Sequence, residues 1–387
     1  MPNTPRVNAL VWAGFIALAV AMGIGRFAFT PLLPIMQKDL GMGLSQGGWL
    51  ASANYLGYFA GALTAAFIPW NAGTLLRVGL LLVAATTALM GWTSAWSTWF
   101  AWRSIAGVAS AWVLVATASL CLARLTAEGN AQKAGWVFSG VGGGIVIAGL
   151  LCLFADLRGQ TAMSTWLMLG ALAALGWLAT SPLWKIPVSM PSLNDLPPRV
   201  NRFDHRRLIL CYGLFGFGYI LPATFLPAQA RVLLDDHAIF GLAWPLFGIA
   251  AALSTVACGV LLRWFSLRGL WLLAQLLMAA GVVMPAIFPG LGSIVIAAIC
   301  VGGTFMVITM LGMQQAQVSG GPRARTLMAN LTAAFALGQL TGPVFFSLVN
   351  EYFGATLNDA LRIACAVLLL ACLLLLKPFP EYASDST

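Results

Sequence analysis

Two arginines are the residues whose position in this sequence implies chemistry, because both lie inside long apolar stretches. Arg26 follows a glycine-rich segment, and Arg103 lies near the start of another apolar stretch. An arginine at the centre of a membrane helix costs about 2.5–3.5 kcal/mol on insertion scales, so each needs a partner or a hydrated cavity. All eleven acidic residues fall in loops, in tails or at the ends of apolar stretches, and no carboxylate is at hand to pair with either arginine.

The two arginines admit a structural and a functional interpretation. In the first, Arg26 bonds the backbone carbonyls that Pro31 and Pro34 leave without a donor. Arg103 then extends to the outer membrane interface, beside two tryptophans. In the second, one or both guanidinium groups face a cavity and hold an anionic substrate by charge-assisted hydrogen bonds. The sequence leaves both interpretations open.

Further polar side chains lie at membrane depth and are candidates for the same cavity. Together with Arg26 and Arg103, the candidate substrate-binding residues are Thr30, Asn54, Tyr58, Tyr219, Asn330 and Gln339. Hydrogen bonding between helices is the alternative role for each of them. Asn54 and Tyr58 are four residues apart and therefore share one face of a helix.

Composition places the chain in a lipid bilayer. Of its 387 residues, 60% are apolar and 8% are charged, against roughly 25% charged residues in ordinary soluble proteins. The mean hydropathy is +0.90. Long continuous apolar stretches favour helices over β-barrel strands, which alternate polar and apolar residues. The sequence therefore predicts an all-α polytopic membrane protein. The seven cysteines lack metal-ligand spacing, and the net charge of +9 comes from scattered basic residues that are typical of topology signals.

Apolar stretches of spanning length, about 20 residues each, follow one another along the chain. They predict twelve transmembrane helices, at residues 9–36, 46–69, 75–93, 98–122, 134–155, 161–183, 208–230, 239–262, 269–289, 291–312, 326–349 and 358–376. The longest polar stretch, residues 184–207, is rich in proline and arginine, which is typical of a solvated linker. It separates a predicted N-terminal six-helix half, residues 1–183, from a C-terminal six-helix half, residues 208–387.

Lysines and arginines predict the orientation of these helices. With a cytoplasmic N-terminus, fourteen of the twenty basic residues face the cytoplasm and four face outward, while Arg26 and Arg103 lie within spans. The positive-inside rule then places both termini and the linker in the cytoplasm.

The two predicted halves share a pattern at a constant offset of 193 residues. Gly23, Gly25, Arg26 and Pro34 in the first helix recur as Gly216, Gly218, Tyr219 and Pro227 in the seventh. The same offset maps Gly149 onto Gly342. This agreement indicates a duplication, with Tyr219 in the place of Arg26.

This organisation resembles the major facilitator superfamily. Its fourth-helix signature is matched by Arg103, Gly107, Ala109 and Ala111, whereas residues 62–76 lack the aspartate of its loop signature and the glycines of the fifth span lack the proline of antiporters. More narrowly, the Gly-Ile-Gly-Arg-Phe core within residues 22–36, residues 54–58 and residues 338–343 are similar to the bacterial YbfB/YjiJ-like branch. The resemblance implies a transporter of the bacterial inner membrane whose first and fourth helices line a central cavity.

The expected function is secondary active transport of a small solute by alternating access, with an organic anion favoured by the two arginines. Efflux of amphipathic or drug-like compounds is an alternative, and a non-transporting membrane sensor is an alternative of another class. No nucleophile, base or metal-ligand set converges at one depth, so an enzyme is not expected. The expected partners are a small-molecule substrate, with or without a coupling ion, and the lipid bilayer. We expect a monomer, and no cofactor, metal ion or nucleic acid as a partner.

Overall fold

The structure is a computed structural model that describes residues 6–184, 202–233 and 237–379. Most of the predicted linker, residues 185–201, lies outside the described residues. The helices are α1 (Val7–Leu18), a π-helical segment (Ala19–Phe27), α2 (Phe29–Leu40), α3 (Leu44–Phe67), α4 (Ala72–Met90), α5 (Trp96–Ala127), α6 (Ala134–Leu157), α7 (Ala162–Ala179), α8 (Arg202–Leu233), α9 (His237–Leu261), α10 (Leu267–Ile287), α11 (Leu291–Gly320), α12 (Ala324–Phe353) and α13 (Leu357–Leu376).

Ten stretches of the described residues are helical, long and apolar enough to cross a membrane. One of them, Leu291–Phe353, contains two helices that the turn Gly321–Arg323 separates, and α3 is not among the ten. The prediction of an all-α polytopic membrane protein is therefore confirmed.

Several helices extend further than the apolar stretches predict. Helix α5 continues to Ala127 and α11 to Gly320, beyond the predicted ends at residues 122 and 312. Past residue 312 of α11, Gln315 and Ser319 are buried within the bundle, where the amide of Gln315 donates to the hydroxyl of Ser319 at 2.7 Å. The predicted end of α11 is wrong because buried polar groups that pair with each other leave the helix intact.

The first membrane stretch is helical throughout but changes its winding in the middle. A π-helical turn weakens the regular ladder of backbone hydrogen bonds, so neighbouring groups must satisfy some of its carbonyls. Helix α5 supplies these groups, since Ser110 Oγ donates to the carbonyl of Ala21 at 2.8 Å and Arg103 donates to that of Gly25 at 3.1 Å. The packing of α5 therefore fixes the irregular segment that carries Arg26.

Glycines set the close approach of several helices. A Cβ atom at Gly57 or Gly61 of α3 would collide with backbone atoms of α5, and one at Gly140 or Gly144 of α6 would collide with backbone atoms of α1 and the π-helical segment. Gly338 of α12 lies in the same way against the backbone of α8. The spacing of glycines by four residues therefore marks helix contacts, as it commonly does in membrane proteins.

The helices before the linker, α1–α7, are called here the N-terminal helices, and α8–α13 the C-terminal helices. The two groups meet along a seam formed by α6 against α9 and α3 against α12. One end of the bundle holds the start of α1, the end of α13 and the turns after α3, α5, α9 and α11. We call this end the terminal face. There, Arg207 Nη2 donates to the carbonyl of Pro378 at 2.6 Å, and Lys133 Nζ donates to Asn8 at 3.1 Å.

Candidate functional site

A small cavity lies on the seam, at the depth of the π-helical segment. Its lining comes from both groups of helices and consists of Met22, Arg26, Phe27, Tyr58, Leu114, Tyr212, Tyr219, Phe305, Met306, Thr309, Thr332 and Phe335. The volume of the cavity that water can occupy is about 20 Å³, which suffices for about one water molecule. The protein therefore holds this site in a closed form.

Arg26 is the charged residue of the cavity lining. It is only 4% exposed, and its Nη2 donates to Oε1 of Gln339 on α12. Its Cζ lies 4.0 Å from the ring centroid of Tyr58, a favourable cation–π distance. Its Nε and Nη1 are buried and have no hydrogen-bond partner among the described residues. Of the two interpretations of Arg26, the one in which it bonds carbonyls freed by prolines is therefore wrong, since its guanidinium turns to the cavity and to Gln339.

Arg103 lies behind Arg26 and not in the cavity lining. It is 3% exposed, and its Nη1 and Nη2 donate to the carbonyls of Gly25 and Arg26 at 3.1 and 3.4 Å. Its Cζ lies 4.7 Å from the ring centroid of Phe29. The expected extension to the outer interface is wrong, because the carbonyls at the end of the π-helical segment offer this guanidinium buried acceptors.

The other predicted site residues divide between the cavity and its surroundings. Tyr58 and Tyr219 line the cavity, and the ring of Tyr219 stacks on that of Phe305 with centroids 5.4 Å apart. Asn54 is fully buried and donates to the carbonyl of Arg103 at 3.1 Å, so it joins α3 to α5. Thr30 is exposed and Asn330 is half-buried, and neither belongs to the lining.

The cavity carries positive charge without a carboxylate close to it. The ion pairs formed by the described residues are Lys38–Asp156, Arg124–Glu128, Arg207–Asp204 and Arg362–Asp359. None of these pairs involves Arg26 or Arg103, and all lie at helix ends. Within the part of the chain that the structure describes, the positive charge of Arg26 is therefore unneutralised. Such a site favours an anion.

Most of the lining residues are not predictable from the sequence because they are aromatic or aliphatic. In a membrane protein, lipid-facing and inward-facing residues are equally apolar, so hydropathy does not distinguish them. A weaker signal is the pairing of aromatic and hydroxyl residues three or four apart, as in Phe305 with Thr309 and Thr332 with Phe335. Both hydroxyls donate at 2.8 Å to carbonyls of their own helices, which leaves Arg26 as the strongest polar group of the lining.

A polytopic helical bundle with a buried, positively charged cavity between two groups of helices is the arrangement expected of a membrane transporter. The chain belongs to the major facilitator superfamily, in the family described as "Uncharacterised MFS-type transporter YbfB", whose model matches residues 18–376. The resemblance inferred from the sequence is thereby confirmed. The family is described as one of transporters.

Comparison with solved structures supports the fold. The crystal structure of the human organic anion transporter MFSD10 (TETRAN) is similar with a TM-score of 0.77, and the match covers 96% of this chain and 100% of that chain. The sequences are 17% identical, so the likeness concerns the fold alone. A comparison with curated proteins finds no match.

Proposed function

We propose that the protein is a secondary active transporter that moves a small organic anion across the bacterial inner membrane by alternating access. One observation carries the proposal. The guanidinium of Arg26 lies buried in the cavity between the two groups of helices, with two nitrogens unpartnered and with no ion pair among the described residues. Burying a charge without an ionic partner is costly, and a substrate anion would provide the missing partner.

The contacts between helices support a duplicated architecture of twelve membrane helices. Contacts of α3 with α5, α4 with α5 and α4 with α7 have counterparts in α9 with α11, α10 with α11 and α10 with α13. Likewise, α6 packs on α1 and the π-helical segment as α12 packs on α8. The contacts at the seam correspond in the same way, because α6 of the first group meets α9 of the second and α12 of the second meets α3 of the first. In this proposal the N-terminal half is residues 1–183 and the C-terminal half is residues 208–387.

The distribution of basic residues supports a cytoplasmic terminal face. Basic residues described at that face are Arg6, Arg77, Arg124, Lys133, Arg206, Arg207, Arg263, Arg268, Arg323, Arg325 and Lys377. Those described at the opposite end are Lys38, Arg158 and Arg362. By the positive-inside rule the terminal face, and with it both chain ends, lies in the cytoplasm. The proposed unit is a monomer, because each chain builds its own cavity.

Alternating access requires that the two halves separate on one side at a time. At the terminal face they are joined by polar contacts, since Arg325 Nη1 donates to the carbonyl of Trp70 at 2.6 Å and Gln314 Nε2 to that of Ala131 at 3.3 Å. In the proposed cycle these contacts break when the cavity opens to the cytoplasm.

A second candidate is efflux of amphipathic compounds. It is favoured by the aromatic walls that Tyr219, Phe305 and Phe335 give the cavity, since such walls accept flat apolar molecules. The charge of Arg26 favours the anion as substrate. The solved structure similar in fold is titled an organic anion transporter, which agrees with this preference, although Arg26 carries the proposal.

Transport by reconstituted vesicles tests the proposal. A panel of carboxylates and neutral amphipathic compounds is offered with and without an imposed pH gradient. We expect Arg26→Ala to lower anion flux at least tenfold and Arg26→Lys to retain part of it. Arg362→Ala is the matched control, because it removes an arginine whose side chain is 60% exposed at the opposite end. Anion flux unchanged by Arg26→Ala would contradict the proposal, and flux of neutral compounds alone would favour the second candidate.

A further inference from the structure

Gln339 occupies the place at Arg26 that an anion would take. Among the described residues, the other side-chain hydrogen bonds between the N-terminal and C-terminal helices involve Gln314 and Arg325 and lie at the terminal face. The bond from Arg26 to Gln339 joins the two groups at the depth of the cavity. This one contact therefore provides Arg26 with its hydrogen-bond acceptor and also links the two groups of helices at the depth of the cavity.

The amide oxygen of Gln339 is a weaker acceptor than a carboxylate. Both acceptors form charge-assisted bonds with the guanidinium, but a carboxylate adds its own negative charge and two oxygens that match the fork of an arginine. Gln339 is 1% exposed, so water does not compete for its bond with Arg26 in the closed form. An anion that reaches Arg26 therefore binds the guanidinium more strongly than Gln339 does.

The cavity offers one positive charge and aromatic walls. Arg103 is bound to backbone carbonyls outside the lining, and the hydroxyls of Thr309 and Thr332 bond their own helices. A second anionic group would thus find no cation among the described lining residues. The rings of Tyr219, Phe305 and Phe335 suit a flat apolar body.

We propose that Gln339 is an internal competitor of the substrate, and that the substrate is an organic monoanion with a flat apolar body. The inference rests on the proposed function and adds a residue that sets its specificity. When the anion binds Arg26, it displaces Gln339 and releases α12 from the first helix. The closed cavity has room for about one water, so the body of the substrate fits only as the two groups move apart. Binding and movement are in this way the same event.

Binding to the purified, reconstituted protein tests the proposal with three probes that share one ring. Benzoate carries one carboxylate, terephthalate carries two, and benzamide is neutral. We expect the wild type to bind benzoate at least tenfold more tightly than either of the others. Gln339→Glu places a permanent carboxylate beside Arg26 and should weaken benzoate binding at least tenfold. Gln339→Ala removes the competitor and should tighten benzoate binding about three- to tenfold.

Gln275→Glu is the matched control, because Gln275 is a fully buried glutamine of α10 outside the cavity lining. It should leave benzoate affinity as in the wild type. If Gln339→Glu fails to fold, the tightening by Gln339→Ala decides alone.

The outcomes separate this inference from the proposed function. Weaker binding in both Gln339→Glu and Gln339→Ala would make Gln339 a substrate ligand and overturn the competition. Unchanged affinity in Gln339→Ala, equal affinity for terephthalate, or no benzoate binding by the wild type would overturn it as well. In each of these cases, loss of carboxylate transport in Arg26→Ala would leave the proposed function standing. The proposed function fails on its own if carboxylate transport does not depend on Arg26.

Discussion

Arg325 provides a direct test of how the protein closes its terminal face. Its Nη1 donates to the carbonyl of Trp70 at 2.6 Å, and its Nη2 donates to those of Ala65 and Ile68 at 3.2 and 3.5 Å. Helix α3 ends at Phe67, so Ala65 belongs to its last turn, whose carbonyls carry partial negative charge, whereas Ile68 and Trp70 follow the helix. A guanidinium at the start of α12 thus binds the end of α3 and the loop after it across the seam.

The strength of this contact follows from its geometry. The bonds at 2.6 and 3.2 Å are well formed, whereas the one at 3.5 Å lies at the limit and adds little. The bond to Trp70 is exposed and that to Ala65 is partly buried, so each contributes about 0.5–1.5 kcal/mol, the range for ordinary hydrogen bonds. Together they amount to about 1–3 kcal/mol. Since 1.4 kcal/mol corresponds to a factor of about ten, Arg325→Ala should shift the equilibrium towards the form open at the terminal face by roughly 5- to 150-fold.

Alkylation of a buried cysteine measures this shift. Met328 is fully buried and lies on the face of α12 that carries Arg325 and the cavity residue Thr332, so a cysteine there should react with a maleimide only when the seam opens. In a Met328→Cys background whose seven native cysteines are replaced by alanine, adding Arg325→Ala should speed alkylation by the same factor, and Arg325→Lys should give an intermediate rate.

Arg323→Ala is the control for this experiment, because it removes an exposed charge two residues away. It should leave the alkylation rate unchanged. An unchanged rate in Arg325→Ala, or an equal acceleration in Arg323→Ala, would refute the reasoning that carbonyl bonds at the end of α3 hold the terminal face closed.

Two further predictions concern the support of the site and the seam. Arg103→Met removes two bonds that hold the π-helical segment. We therefore expect the free energy of unfolding to fall by about 1–3 kcal/mol and the KM for the transported anion to rise, and Arg103→Lys should restore part of both. Wild-type values of both quantities in Arg103→Met would contradict this role. Gly142→Val places a Cβ 2.5 Å from the backbone of Gly248 and Ala252 on α9, which should lower stability by about 1–3 kcal/mol in thermal unfolding, whereas Gly303→Val, with no atom within 4 Å of its Cβ, should match the wild type.

The sequence predicts the fold well because the bilayer imposes one strong rule. A spanning segment must pair all its backbone groups within the bilayer, and a long continuous apolar segment does so as a helix, so hydropathy locates most of the helices to within a few residues. The exceptions are informative. The end of α11 was placed too early because the sequence does not reveal that Gln315 and Ser319 satisfy each other inside the bundle.

The candidate site was predictable only in part. Arg26, Tyr58, Tyr219 and Gln339 stood out as polar groups at membrane depth, and the structure brings them to the cavity or its edge. That Arg26 and Gln339 meet was not predictable, because they are 313 residues apart and their contact depends on how α12 packs against the first helix. The orientation of Arg103 depends on carbonyls that a π-helical turn leaves free, and no local sequence pattern predicts that turn.

The chain has twenty basic and only eleven acidic residues, and backbone carbonyls accept hydrogen bonds from several of its arginines. Arg103 binds those of the π-helical segment, Arg207 binds that of Pro378, and Arg325 binds those at and just after the end of α3. Such acceptors are backbone groups, which do not turn away unless the chain segment that carries them moves. Arg26 differs, since its described partner is a side-chain amide, which rotates about single bonds at small cost. Of these four arginines it is therefore Arg26 that can exchange its partner for an anion while every helix stays intact. This is the property that a binding site used once in every transport cycle requires.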